Sequence, residues 1–128
     1  MTSVLDASAV LALLFDEPGA DRVRVRVAEG LIGTANLAEV LAKLVDRGLP
    51  PGEAAHAVAT LGLPVVPFTD AQARTSASLR SATRAAGLSL GDRACLALAL
   101  ERELPAVTAE RRWSEIADAV GVTVEVIQ

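Results

Sequence analysis

The sequence predicts an α/β fold: a three-layer sandwich with helices covering both faces of a central, mostly parallel five-stranded sheet. Three observations carry that expectation. Five short β-rich runs punctuate the chain, and they lack the alternation of a half-exposed sheet, as strands buried on both faces do. Stretches with helical periodicity lie between them. Strand–helix alternation of this kind builds a parallel sheet with helices packed on it. With 128 residues, 52% hydrophobic and 22% charged, the chain has the composition of a folded protein and suits a single domain over residues 1–128.

The elements follow in order. Ser3 to Leu5 reads as the first strand. Leu31 to Thr34 follows Gly30 as the second, and Val65 to Phe68 follows Pro64 as the third. Ala106 to Thr108 comes after Pro105, and Thr123 to Ile127 comes after Gly121. The clearest helix carries Leu37, Val40, Leu41, Leu44 and Val45 on one stripe and stops at Gly48. Another spans Leu90 to about Glu103, with Ala94, Leu96, Ala97, Leu98 and Leu100 mostly buried. Arg22, Arg24 and Arg26 alternate with valines in a strand-like way, but Pro18-Gly19-Ala20-Asp21 reads as a helix start, so a helix is expected there.

Aromatic residues make up only 2% of the chain, so Ala, Val and Leu must fill the core. Cys95 is expected to be a small core residue. Trp113 is expected to pack the last helix against the sheet rather than to stack on a base. His56, between two alanines, reads as a partly exposed helix residue.

Several classes of protein are disfavoured. No apolar run approaches the ~20 residues that span a bilayer, and the N-terminus does not read as a signal peptide. The single cysteine excludes an internal disulfide and a Cys-rich metal site. A cytoplasmic location without membrane contact follows as the default expectation. The net charge of −4 sits awkwardly with nucleic-acid binding, which favours basic surfaces. Acids concentrated in one place would reconcile the two, leaving a basic rim elsewhere. Lys43 is the only lysine, and Arg is the better bidentate phosphate ligand.

Four acids occupy one kind of place. Asp6 directly follows the first strand, and Glu110 lies just after the fourth. Glu39 is expected in the first turn of the helix after the second strand, and Asp92 in the first turn of the helix before the fourth. In an α/β sandwich the helix N-termini share the carboxyl edge of the sheet, where such folds place ligands. Carboxylates crowded there raise one another's pKa. A divalent cation relieves that repulsion, and oxygen-only ligands select Mg²⁺ or Mn²⁺ over Zn²⁺. Such an ion polarises a phosphate and generates hydroxide. The chain has no phosphate loop of the Gly-x-x-x-x-Gly-Lys type, and His56 has no nearby acid–base partner. Metal-assisted phosphodiester hydrolysis requires neither.

Each acid also has a simpler explanation as a helix cap. Asp6 precedes Ala7-Ser8, Asn36-Leu37-Ala38-Glu39 has the form of a capping box, and Ser89-Leu90-Gly91-Asp92 nearly so. Capping explains each acid singly but not their common edge. Asp16, Glu17, Glu53, Glu101 and Glu103 read as solvated surface charges. A phospho-accepting receiver domain, the other α/β fold with clustered acids, is excluded because Lys43 comes far too early and Asp70 is displaced from the third strand.

Val4-Leu5-Asp6-Ala7-Ser8-Ala9, Ala35-Asn36-Leu37-Ala38-Glu39-Val40 and Leu88-Ser89-Leu90-Gly91-Asp92-Arg93-Ala94-Cys95-Leu96-Ala97 resemble the motifs of PIN-domain proteins. The third segment resembles VapC toxins of bacterial toxin–antitoxin pairs in particular, and the resemblance spans essentially the whole chain. It implies a PIN-like sandwich and Mg²⁺- or Mn²⁺-dependent endoribonuclease activity. Asp6, Glu39 and Asp92 match the first three acids of that family's site. The fourth is usually Asp, whereas Thr108-Ala109-Glu110-Arg111-Arg112-Trp113 places Glu there, with a longer side chain. On this reading Asp6 and Asp92 bind the metal, and Glu39 completes the site directly or through water. Glu110 orients a water or supports a weaker second metal. Ser8 and Asn36 hydrogen-bond a ligand or the phosphate, and Arg93 with Arg111 or Arg112 contacts the RNA backbone. A VapB-like antitoxin partner and a homodimer are implied by the resemblance alone. The alternative is a catalytically silent PIN-like module that binds RNA or protein, with Glu110 the mark of a decaying site.

Overall fold

The computed structural model describes residues 2–128. One five-stranded sheet has the order β3-β2-β1-β4-β5, with β1 at Ser3–Leu5, β2 at Gly30–Gly33, β3 at Val65–Val66, β4 at Ala106–Thr108 and β5 at Val124–Val126. Every pair is parallel. Successive residues point to opposite faces, and both faces are buried. Val4, Leu31 and Ala106 belong to one apolar cluster, and Leu5, Ile32 and Val107 to the other. This is why the strands read as unbroken apolar runs.

The second cluster lies under α1 (Ala7–Leu14), α2 (Ala20–Val27), α3 (Thr34–Asp46) and α4 (Pro51–Ala59). The first lies under α7 (Leu90–Arg102), a 3₁₀ turn at Arg111–Glu115 and α8 (Ala117–Val120). Helices α5 (Asp70–Ser78) and α6 (Arg80–Thr83) lead into α7, and α5 packs along it. Trp113 is fully buried in the first cluster, Cys95 is buried beside it, and His56 is exposed on α4. Among the described residues no helix is long and apolar enough to cross a membrane.

The arginine-rich segment is helical. Val23 faces the core, while Val25 remains 70% exposed. Arg22 donates to Val126 O at 3.2 Å and Arg26 to Glu125 Oε1 at 2.7 Å, lashing α2 to β5. Gly19 is required at its start: it has φ of 94°, and a Cβ would meet Ile127 O at 2.5 Å.

Three strand boundaries differ from expectation. β2 runs one residue earlier because Thr34 already opens α3. β3 stops at Val66 rather than Phe68. Pro67 has no N–H for a ladder, and the Phe68 N–H donates to Thr34 Oγ1 at 2.9 Å. β5 is a residue shorter at each end than expected. The early start of α3 also corrects two placements. Glu39 sits in the second turn of α3 rather than the first, and Asn36 lies inside the helix, so the expected Asn36–Glu39 capping box does not form.

Candidate functional site

Asp6 stands where β1 turns into α1. Its backbone occupies the N-cap position, yet its side chain caps nothing. The carboxylate instead spans the sheet edge. Oδ2 accepts from Ser8 Oγ at 2.7 Å and from Thr108 Oγ1 at 3.0 Å. Those two hydroxyls in turn accept from the backbone N–H groups of Ala109 at 2.9 Å and Glu110 at 3.0 Å. The turn after β4 is thereby wired through two hydroxyls to one carboxylate oxygen. Asp6 is only 2% exposed. Burial pushes its pKa up to about 7; the charges of Asp92 and Glu39 add to the rise, and the Ser8 and Thr108 hydroxyls oppose it.

Asn36 is the hinge of the cluster. Its buried amide donates to Glu39 Oε1 and to Gly91 O, both at 3.0 Å, and reaches Asp6 Oδ1 at 3.5 Å. Two amide hydrogens serve three acceptors, so the contact to Asp6 is the weakest. Glu39 is half-buried. Desolvation raises its pKa, Asn36 lowers it, Asp92 raises it and Lys43 lowers it. Gly91 makes room for this carboxylate, since a Cβ at that position would collide with both Glu39 oxygens. An alanine there would displace the Glu39 carboxylate.

Asp92 is held differently. It forms a true capping box with Ser89: the Ser89 N–H donates to Asp92 Oδ2 at 2.8 Å, and the Asp92 N–H donates to Ser89 Oγ at 3.3 Å. Arg112 Nη2 lies 3.5 Å from the same Oδ2, and Arg112 Nε lies 3.7 Å from Glu110 Oε2. Glu110 precedes the 3₁₀ turn without a side-chain cap bond. Of the four acids, then, only Asp92 performs the capping that would explain it without chemistry.

Asp6, Glu39 and Asp92 act on one another electrostatically, and all three raise the pKa of the buried Cys95 thiol, which burial already pushes well up. Three distant segments thus converge on one spot. Glu110 stands one link away, through Arg112 and through its N–H to Thr108. Among the described residues no three Asp, Glu, His or Cys side chains are placed as a ready-made metal-ligand set. Arg111 is exposed. Arg93 instead donates Nη1 to Ser76 O at 3.1 Å, tying α7 to α5. Thr108, which donates to Asp6, and Gly91, which makes room for Glu39, have roles not expected from the sequence. The Thr before the usual fourth acid, and a Gly beside an acid in a first turn, were the signals available.

The sequence profile of the PIN domain matches residues 3–119. The chain belongs to the PIN domain family. Solved structures share this PIN fold over nearly their full length. A chain of a toxin–antitoxin complex from Klebsiella pneumoniae is 17% identical with a TM-score of 0.74, covering 98% of each chain. VapBC2 from Rickettsia felis, bound to a DNA fragment from its promoter, gives 14% identity and a TM-score of 0.74, again covering 98% of each. VapBC-5 from Mycobacterium tuberculosis gives 26% identity and a TM-score of 0.63, covering 99% of this chain and 98% of that one. A comparison with curated protein sequences finds no match. In this PIN domain, the acids stand at the carboxyl edge of the sheet, where open parallel sheets place their ligands.

Proposed function

We propose that this PIN domain is a divalent-cation-dependent endoribonuclease of the VapC type, acting in the cytoplasm as the toxin of a VapBC-like pair. One observation carries the reading: Asp6 at the end of β1, Glu39 on α3 and Asp92 on α7 come together at one partly buried spot, linked by Asn36 and by their mutual electrostatics. Such crowding suits a hard cation, and the donors are all oxygens. Asp6 and Asp92 would hold Mg²⁺ or Mn²⁺, with Glu39 direct or water-linked and Glu110 at the margin. When bound, the ion supplies a polarised phosphate and an activated water.

The chain's own residues do the rest. Ser8 and Thr108 fix the rotamer of Asp6 through two donated hydrogen bonds. Asn36 sets the distance between Asp6 and Glu39. Arg111 is free to meet an RNA phosphate, whereas Arg93 is already committed to Ser76. Antitoxin binding and homodimerisation are proposed from the VapC resemblance, and toxin–antitoxin complexes among the matching structures support the former. Incubation of purified protein with single-stranded RNA tests the reading: cleavage should require Mg²⁺ or Mn²⁺ and stop with EDTA. Full activity in chelator, or no cleavage across a Mn²⁺ titration, overturns it.

A further inference from the structure

We infer that Arg112 is a resident counter-cation of the acid cluster, a charge that a divalent ion must compete with for Asp92. The inference rests on the metal site proposed above and concerns how that site is regulated. Among the described residues Arg112 is the one basic side chain ion-paired to the cluster's acids, with Nη2 at 3.5 Å from Asp92 Oδ2 and Nε at 3.7 Å from Glu110 Oε2. Its third tether is Nη1 donating to Gly87 O at 3.2 Å. It thus bridges the first turn of α7, the 3₁₀ turn and the bend before α7.

The bridge is loose. Both ion-pair distances exceed the usual 2.7–3.2 Å of a hydrogen bond, and the Nε hydrogen is buried without a hydrogen-bond acceptor. An unsatisfied buried donor is costly, and on leaving that N–H could bond to water, which would offset part of the pair's hold. Its side chain is 40% exposed against 10% for Asp92, so it has a way out to solvent and Asp92 does not. Among the described residues no ion pair of this kind reaches Asp6 or Glu39, whose side-chain partners are hydroxyls and an amide. Arg112 therefore holds Asp92 in place while no ion is bound. An ion that takes Asp92 must displace or share that hold, and the coupling is reciprocal.

Calorimetric titration of ion-stripped protein with Mn²⁺, paired with melting in chelator, tests this. Arg112→Gln should bind Mn²⁺ about 5- to 10-fold more tightly than the wild type while melting at a lower temperature without the ion. Arg112→Lys keeps the charge but loses the two-point fork and should tighten binding by about 2-fold. Arg102→Gln removes an equal charge at the far end of α7 and should match the wild type. Mn²⁺ affinity that is unchanged or weaker in Arg112→Gln overturns the inference. If that variant does not fold, unchanged affinity in Arg112→Lys does so. A wild-type protein that fails to bind Mn²⁺ overturns the metal site itself, a distinct outcome.

Discussion

The two halves of the acid cluster solve the same electrostatic problem by different means. On the β1 side, Asp6 and Glu39 take their side-chain hydrogen bonds from neutral donors, two hydroxyls and one amide, with the positive charge of Lys43 also acting on Glu39. On the α7 side, Asp92 and Glu110 face a guanidinium, and Asp92 also caps its helix. Burial raises the Asp6 pKa, and the hydroxyl donors oppose that rise without reversing it. Asp92 instead has a cationic neighbour and the Ser89 backbone N–H as hydrogen-bond donor. On the metal site proposed above, one half would await an incoming ion and the other would be held by a substitute for it.

The largest expected effect is on catalysis. Asp6→Asn and Asp92→Asn should each reduce RNA cleavage by about 1,000-fold or more, equivalent to about 4 kcal/mol of transition-state stabilisation. Their stabilities should part company. At pH 8 without metal, Asp6→Asn should gain roughly 1–2 kcal/mol, because it removes a buried charge whose pKa has been driven upward. Asp92→Asn should stay near wild type or fall slightly, since Asn caps as well as Asp but Arg112 loses its pair. Cleavage rates set beside melting temperatures check both. Variants that lose stability while still cleaving in proportion to their folded fraction would make the acids structural.

Next in size is the pH dependence. Folded Asp6 keeps its proton to about pH 7, whereas its model value is 3.8. The folded state therefore binds more protons than the unfolded one between about pH 4 and 7, so stability falls as pH rises through that window. Glu39 is shifted in the same direction. Melting in chelator should accordingly occur at a higher temperature at pH 5.5 than at pH 8. The slope should flatten in Asp6→Asn and persist in large part in Asp92→Asn; equal slopes in both variants would erase the distinction between the halves. Mn²⁺ affinity should weaken below pH 7, as the ion must displace the Asp6 proton.

The smallest effect concerns the hydroxyl wiring. Thr108→Val removes one donor to Asp6 and leaves the Glu110 N–H without its acceptor. A loss of about 1 kcal/mol is expected, with a few-fold weaker Mn²⁺ binding. The corresponding change on the other half, Ser89→Ala, should cost stability through the capping box but alter Mn²⁺ binding less.

Much of this arrangement was legible in the sequence, because buried parallel strands and amphipathic helices write their periods into the chain. The sheet-edge placement of Asp6, Asp92 and Glu110 followed from that pattern alone. Glu39 was misplaced by a turn because helix starts are set by backbone geometry, and Gly33 and Thr34 carry no strong signal of one. The Asn36 bonds to Glu39 and Gly91 depended on that same start. The partners of the arginines were not legible at all. Arg112 meets Asp92 across 20 residues of sequence and Arg93 meets Ser76 across 17, and such pairings arise only once helices are docked. The alternating arginines of α2 illustrate the converse: a local start signal overrode a strand-like alternation, and a helix was expected and found.

Trp113 follows Arg112 directly and is completely enclosed, with its indole N–H buried and unpartnered. The chain contains no other tryptophan and no tyrosine. Its ultraviolet emission therefore comes from a single indole in an apolar cage, one peptide unit from the guanidinium that neighbours the acids. That makes the native protein its own optical gauge: any rearrangement of the 3₁₀ turn, whether on ion uptake or on unfolding, registers as a change in the colour or intensity of one lamp, with no dye attached.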